Sequence, residues 1–435
     1  MRDLLIISIV VLGALMALRR PWIGVMLWTW VSLMNPHRYA FGFAYSAPVA
    51  ALAAGCTLLG LLMTSQRDYP FKGGATIWLV LFMAWITLSW RFGLDPEGDQ
   101  PQWDKVMKIY LMILVALALL RTKLHIFALV TTCVVSLALL GIKGGIFTIA
   151  HGGSYRVWGP PGSFVADNNE FALALVMTIP LLRFLQLQLP WPWARHAMTA
   201  VMALCAASAL GSHSRGGLLA IVAMSLFLWW RGRSRLLGGM VLVACAAMLL
   251  AIMPDIWSER MSTISTYEED RSALGRISAW WTAWHIAQHY PFGVGFNASR
   301  EELFALYSPT PELGTPVAHS IYFQVLGHHG FVGLFLFLGI WAATWWSASR
   351  VRKEAAGLPQ CKWCADLASM CQVALVGYAV GGAFLSLAYF DLPYNMMIMV
   401  VLTRVWIRSQ VREHEGADAR QRSPLPPLAV AAEAR

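Results

Sequence analysis

Residues 124–143 read LHIFALVTTCVVSLALLGIK, an almost wholly apolar stretch that follows the basic residues Arg121 and Lys123. As a helix rising 1.5 Å per residue, it covers about 30 Å, which is the thickness of the hydrocarbon core of a bilayer. Backbone groups in lipid must be paired within the segment, and the stretch lacks the alternating pattern of a barrel strand. It therefore predicts a transmembrane helix.

The rest of the chain repeats this pattern. Of its 435 residues, 58% are hydrophobic and only 13% are Asp, Glu, Lys or Arg, against roughly 25% charged residues in a soluble domain. Further apolar runs lie at 3–18, 21–35, 46–65, 75–91, 105–120, 169–187, 196–212, 216–230, 236–253, 319–348, 366–389 and 393–408. This composition excludes a soluble protein and predicts an all-α polytopic membrane protein with about 12 transmembrane helices.

Basic residues concentrate in alternate connections between these runs. The set comprises Arg19, Arg20, Arg67, Lys72, Arg121, Lys123, Arg195, Arg231, Arg233, Arg235, Arg350, Arg352, Lys353 and Lys362. By the positive-inside rule these connections are cytoplasmic, so the others face the periplasm of a two-membrane bacterium. The net charge of +10 then reflects topology, and we expect no nucleic-acid partner.

The order of elements predicts four regions. A helical bundle (1–253) is followed by a large periplasmic loop (254–318), further transmembrane helices (319–409) and a disordered cytoplasmic tail (410–435). A loop of this length is usually functional or disordered. Between Ser272 and Tyr290, however, apolar residues recur at helical spacing beside polar ones, which predicts an amphipathic helix at the membrane surface.

The sequence offers no metal or nucleotide site. The one cysteine cluster is Cys361, Cys364 and Cys371, but a structural zinc site needs four ligands and no nearby histidine completes it. There is no H-E-x-x-H motif, no P-loop and no G-x-G-x-x-G after a strand. We therefore predict no cofactor.

Cations in the predicted periplasmic connections have no topological explanation. Arg156 precedes a Gly/Pro turn and the polar run 167–170, which on its own is equally typical of a loop with a helix N-cap. Arg215 lies between Ser214 and Gly216, where small neighbours would let an anion approach the backbone. The alternative for Arg215 is a side chain that snorkels to the membrane surface.

Two more residues complete the candidate site. Arg276 lies on the amphipathic helix, and the glycines of 291–296 permit close approach; alone, Arg276 would equally suit a solvated helix face. His319, followed by Ser320 and Tyr322, opens the 319–348 run. A histidine there can act as a general base, although a lone histidine is more often an ordinary polar group. The pair His328-His329 we assign to packing or helix bending.

Taken together, these residues indicate one reaction class. A proton acceptor beside several permanent cations suits transfer from a pyrophosphate leaving group to an alcohol, because the cations stabilise the charge that develops on the departing phosphate.

The same features resemble the superfamily of bacterial O-antigen ligases and polymerases. The resemblance rests on a multi-helix bundle, the Ser-Arg-Gly-Gly turn at 214–217, one large loop carrying Arg276 and Gly293-Val294-Gly295, and His319-Ser320-x-Tyr322. It covers roughly residues 20 to 410. It implies a GT-C-like helical bundle in the inner membrane with its active site facing the periplasm.

The resemblance also implies an activity. An O-antigen ligase is an inverting, metal- and ATP-independent glycosyltransferase of lipopolysaccharide biosynthesis that moves a glycan from undecaprenyl pyrophosphate to a hydroxyl of the lipid A core. By resemblance, His319 is the general base, and Arg215 and Arg276 bind the pyrophosphate, with Arg156 as a further candidate. The implied partners are the lipid-linked donor, the lipid A core acceptor and membrane lipids.

Three alternatives remain open. The stretch Asn35-Pro36-His37-Arg38 resembles a branch of O-glycosylation ligases, for which the acceptor would be a protein Ser or Thr or another sugar rather than the lipid A core. O-antigen polymerases share the architecture and accept another lipid-linked chain. A transporter of lipid-linked sugars is a different class, but transporters usually show related halves and ionisable residues at the midplane, whereas here these residues gather at one face.

Overall fold

The computed structural model describes residues 1–232, single positions between 236 and 257, and residues 271–422, with side chains over 272–412 of that last part. Over these residues the chain is helical and contains no strand, which confirms the all-α prediction. The predicted run 236–253 and the start of the predicted loop lie largely outside the described residues.

Fourteen α-helices are described in these parts of the chain. They are α1 (Arg2–Arg19), α2 (Pro21–Met34), α3 (Val49–Met63), α4 (Gly74–Arg91), α5 (Pro96–Leu119), α6 (Lys123–Ala150), α7 (Asn168–Gln188), α8 (Pro192–Gly211), α9 (Arg215–Arg231), α10 (Arg271–His289), α11 (Glu301–Tyr307), α12 (Ile321–Ala355), α13 (Lys362–Gly381) and α14 (Asp391–Arg422). Short 3-10 turns include Pro36–Tyr39 and Gly382–Phe384.

The apolar runs and the helices coincide closely. In the described part, five helical segments are long and apolar enough to cross a membrane, and α2 and α3 are shorter apolar helices. The chain is thus a multi-pass membrane protein, while the count of about 12 spans stays a prediction. The last helix extends to Arg422, past residue 409 where we predicted a disordered tail, because its Arg, Glu, Ala and Gln residues favour helix. Residues 423–435 lie outside the described part.

The centre of the bundle is formed by α7, α13 and α14. Most side chains of α7 are buried, and so is the run from Leu392 to Thr403 of α14. Peripheral helices such as α1 instead expose Leu4, Leu5 and Leu12, as expected of helices that contact lipid.

Ion pairs form within each of the two predicted sets of connections. Asp68 pairs with Lys72 and Arg121, all three of which come from the predicted cytoplasmic set of connections. Arg300 pairs with Asp95 and Asp99, which joins two predicted periplasmic connections. Each of these ion pairs lies within one predicted set of connections, and the assignment of each set to a compartment stays a prediction.

Helix α12 is broken at Gly330, whose φ of 67° and ψ of −172° are not helical. The carbonyl of His328, freed from the helical ladder by the break, accepts hydrogen bonds from the backbone N–H groups of Val294 (3.0 Å) and Gly295 (3.1 Å) and from Ser89 Oγ (2.9 Å). The assignment of His328-His329 to helix bending is thereby confirmed.

This break also corrects our prediction for the glycines of 291–296. A Cβ at Gly293 would stand 2.2 Å from His328 O, and one at Gly295 would stand 2.2 Å from Asp99 Oδ2. The close approach that glycine allows here is made by the protein's own backbone and carboxylate, because the loop docks onto the helix break.

Candidate active site

The connection between α6 and α7 is tied to the turn between α8 and α9. The ring Nε2 of His213 lies 2.7 Å from Gly153 O, and Val157 N donates to Gly211 O at 3.1 Å. Asn168 Nδ2 donates to Ser212 O at 2.7 Å. These bonds place the N-terminus of α7 beside that of α9.

Helix α9 begins with the Ser-Arg-Gly-Gly turn. Ser214 Oγ accepts a hydrogen bond from Gly217 N at 3.0 Å, an N-cap that fixes the first turn and with it the backbone of Arg215. A Cβ at Gly217 would stand 2.9 Å from Ala172 of α7, and one at Gly216 would stand 3.4 Å from Phe384. The two glycines therefore have a packing role, while Arg215 stays partly exposed.

Helix α10 holds the segment before His319. Trp280 Nε1 donates to Ala318 O at 2.7 Å, and its ring stacks on Phe323 of α12 with centroids 5.2 Å apart. Arg276 lies four residues before Trp280, about one helical turn away. The tryptophan thus anchors the chain so that Arg276 and His319 become neighbours.

His319 is held in a demanding position. Its φ is 43°. In the described part of the chain, the other non-glycine residues with a positive φ are Asn35 and His213. Such a conformation costs of order 1–3 kcal/mol and is often found at functional sites. Burial is the main factor that lowers the pKa of His319, and Arg276 lowers it further, while Asp167 opposes them. The imidazole is therefore neutral near pH 7 and can accept a proton.

Asp167 stands beside His319 as a carboxylate. Burial by itself would raise the pKa of Asp167, but hydrogen bonds from Glu170 and from the backbone and side chain of Asn169 bring it below its ordinary value. From the sequence we interpreted the 167–170 run only as a helix cap. Asp167 does cap α7, and the tertiary structure also places its charge next to the imidazole.

The residues after His319 connect the site to α13. Tyr322 Oη donates to Ala379 O at 2.8 Å, and a Cβ at Gly382 would meet Ile321, the first residue of α12. Ser320 Oγ and Ser386 Oγ are buried and have no hydrogen-bond partner among the described residues. Buried polar atoms are normally paired, so these two hydroxyls are exceptions next to the start of α12.

Three helix N-termini meet at this place. Asp167 at the start of α7 acts on His319 at the start of α12, and both α9 and α12 pack against the turn Gly382–Phe384. Helix N-termini carry partial positive charge and favour anions. Together with Arg215 and Arg276, this convergence creates an environment suited to a phosphate group.

Arg156 is less closely tied to the site. Its neighbours Gly153 and Val157 bond to the 211–213 turn, but its side chain is exposed and makes no ion pair within the described ranges. The structure brings Arg276 and His319 together, places Arg215 on the adjoining helix turn and leaves Arg156 at the rim.

The amphipathic helix forms as predicted, but its packing face is different. The face of α10 that packs against the protein consists mainly of small and polar residues, including Ser278, Ala279, Thr282 and Ala283. Trp281 and Trp284 are exposed, and they line an apolar cavity of about 550 Å³ with Ile277, Trp280 and Phe323. The aromatic face thus stays open to an apolar partner.

Within the described residues, no group of three or more His, Cys, Asp or Glu side chains is arranged to hold a metal ion. The cysteines Cys361, Cys364 and Cys371 are buried as free thiols. The candidate site therefore consists of nitrogen and oxygen donors without a recognisable metal cage in that part of the chain.

Comparison with known families divides the chain in two. Residues 200–338 match the family described as O-Antigen ligase, a range that contains Arg215, Arg276 and His319. This match supports membership of the superfamily of O-antigen ligases and polymerases. Residues 1–188, which contain Arg156, match a family of unknown function (DUF5935). No curated protein matches the chain.

Proposed function

We propose that this protein is a glycosyltransferase that moves a glycan from a polyprenyl pyrophosphate, undecaprenyl pyrophosphate in bacteria, to a sugar hydroxyl of the lipid A core. The observation that carries the proposal is that His319, held at a φ of 43° just before α12, interacts electrostatically with both Arg276 and the carboxylate of Asp167. A base alone would suit many reactions, but a base among cations and helix N-termini suits one with a pyrophosphate leaving group.

The reaction needs one proton transfer and one displacement. His319 takes the proton from the acceptor hydroxyl, and the acceptor oxygen attacks the anomeric carbon of the donor sugar. The bond from that carbon to the pyrophosphate oxygen breaks as the new glycosidic bond forms, which inverts the anomeric configuration. Asp167 stabilises the imidazolium that results, since its negative charge favours the protonated ring.

The leaving group is stabilised by fixed charge. Arg215 and Arg276 bind the pyrophosphate oxygens, and the N-termini of α7, α9 and α12 add their partial positive charge. Neither a metal ion nor ATP enters these steps, because the donor already carries its activated bond and the arginines balance the charge.

The polyprenyl chain has an apolar surface available next to this site. The cavity lined by Trp280, Trp281, Trp284 and Phe323 starts one helical turn from Arg276. A donor whose pyrophosphate contacts Arg276 can therefore keep its lipid against the aromatic face of α10.

The test is a transfer assay with purified protein, undecaprenyl-pyrophosphate glycan and lipid A core, in EDTA and without nucleotide. His319→Asn should reduce transfer by at least about 100-fold, the usual contribution of general-base catalysis. Arg215→Met and Arg276→Met should also reduce it.

The matched control is His289→Asn on α10, an exposed histidine that bonds the backbone of its own helix. Full activity of His319→Asn would remove the histidine from the chemistry. If wild-type protein instead lengthens the lipid-linked glycan, the acceptor is that of a polymerase. If it modifies a protein, the acceptor is that of a protein ligase.

A further inference from the structure

A second cavity, whose lining is mainly apolar with several charged and polar side chains, lies within the residues that match the family of unknown function. It has a volume of about 500 Å³ between α2, the turn after α2, the start of α5 and the loop tip 162–164. Its lining includes no residue of α9, α10 or α12, so it is separate from the cations and from the aromatic face that we assign to the donor.

The walls of this cavity are built with unusual backbone conformations. Asn35 ends α2 with a φ of 50°, and its Nδ2 donates to Ser32 O at 2.7 Å. Gly162 has a φ of 71° and brings the loop tip up to the guanidinium of Arg38. This geometry keeps the loop tip folded over the cavity.

The lining contains an aromatic surface beside balanced charges. The ring of Phe164 lies 3.7 Å below Lys105 Nζ. Lys108 pairs with Asp104 at 3.0 Å, and Lys105 faces Asp391, which accepts a hydrogen bond from Ser32. Because each ammonium has a carboxylate nearby, the cavity is not a simple anion site.

Donors and acceptors are both offered to a ligand. His37 is buried, and its Nδ1 has no hydrogen-bond partner among the described residues. Burial, and secondarily Arg38, lowers the pKa of His37, so the neutral ring has one donor and one acceptor nitrogen. A sugar matches this lining, since its C–H groups pack against apolar side chains such as Trp28 and Phe164 and its hydroxyls both donate and accept.

We infer that this cavity is the subsite that binds a saccharide unit of the acceptor glycan. The inference rests on the proposed function for the identity of the acceptor. The loop that forms the cavity also reaches the base: Phe164 lies in its wall, and Asp167, three residues later, stands beside His319. Three residues span at most about 11 Å, so a glycan held here can present a hydroxyl to His319.

The test measures binding of deacylated lipid A core oligosaccharide to the full-length protein in nanodiscs, without donor. Phe164→Leu keeps an apolar side chain but loses the flat ring, and should weaken binding about tenfold. Phe41→Leu is the matched control, because Phe41 also lies under a cation, Arg2, but is not part of the cavity. In transfer assays Phe164→Leu should raise the KM for acceptor and leave that for donor unchanged.

Several results would overturn the inference: no binding to wild type, equal binding by the two variants, a changed KM for donor alone, or displacement by millimolar inorganic phosphate. The two proposals fail separately. Binding that depends on Phe164 without any transfer would refute the proposed reaction and keep the saccharide subsite. Transfer whose KM for acceptor does not depend on Phe164 would refute the saccharide subsite and keep the proposed reaction.

Discussion

The docking of the 291–296 loop onto the break in α12 can be tested with a single methyl group. In Gly293→Ala the new Cβ would stand 2.2 Å from His328 O and 2.5 Å from His329 Cα. Both are backbone atoms, so no side-chain rotation relieves the clash and the loop must move away from the helix. Gly314→Ala is the matched control, since Gly314 has the same φ of 80° and nothing in the described structure within 4 Å.

The expected difference follows from the bonds that the loop loses. Both variants place a side chain at a positive φ, which destabilises the fold by about 1–3 kcal/mol. Gly293→Ala also loses the hydrogen bonds from Val294 N and Gly295 N to His328 O, each worth about 1 kcal/mol net. We therefore expect Gly293→Ala to lower the free energy of unfolding by about 2 kcal/mol more than Gly314→Ala does.

The assay is SDS-induced unfolding of the purified protein in detergent micelles, followed by far-ultraviolet circular dichroism. Transfer activity should decline in Gly293→Ala as well, because the loop follows α10 and helps to position Arg276. Equal unfolding free energies for the two variants would show that the loop is not held by the helix break, and the reasoning would be refuted.

Two further predictions concern charge. Transfer that depends on neutral His319 should fall as the pH drops through the pKa of this histidine. In pH profiles of residual activity, Asp167→Asn should move this fall to lower pH, because Asp167 raises the pKa of His319. Arg276→Met should move it to higher pH, because Arg276 lowers that pKa. A shift in the opposite direction would contradict the assigned neighbours. Asp99→Ala should lower the free energy of unfolding by about 3 kcal/mol in the same assay, because it breaks a mostly buried ion pair with Arg300. The more exposed Asp95 also pairs with Arg300, and Asp95→Ala should lower it clearly less. Similar losses for the two variants would mean that burial does not set the strength of these pairs.

Much of the helical framework could be predicted because it depends on local composition. An apolar run such as 124–143 must become a helix in lipid whatever surrounds it, and α6 extends from Lys123 to Ala150 around that run. The helix at 271–289 was likewise predicted from its periodicity. Its packing face was not, because small residues such as Ala279 and Ala283 carry little hydrophobic signal yet allow close helix contact.

The sequence singled out the residues of the candidate site by their types. Arg215, Arg276 and His319 stood out because cations and a histidine in connections predicted to be periplasmic have no topological purpose. The sequence could not indicate that Asp167, 152 residues before His319, would set its charge environment. It also suggested that the glycines at 293 and 295 were open to a ligand, whereas the folded chain fills that space.

The sequence by itself determined that this is a helical membrane protein and which polar residues are candidates for chemistry, since hydropathy and charge act locally along the chain. Only the tertiary structure decided which of those residues meet. Proximity across α7, α9, α10 and α12 depends on helix packing, on the break at Gly330 and on single hydrogen bonds such as that from Trp280 to Ala318. These contacts join residues distant in sequence, so no local pattern encodes them.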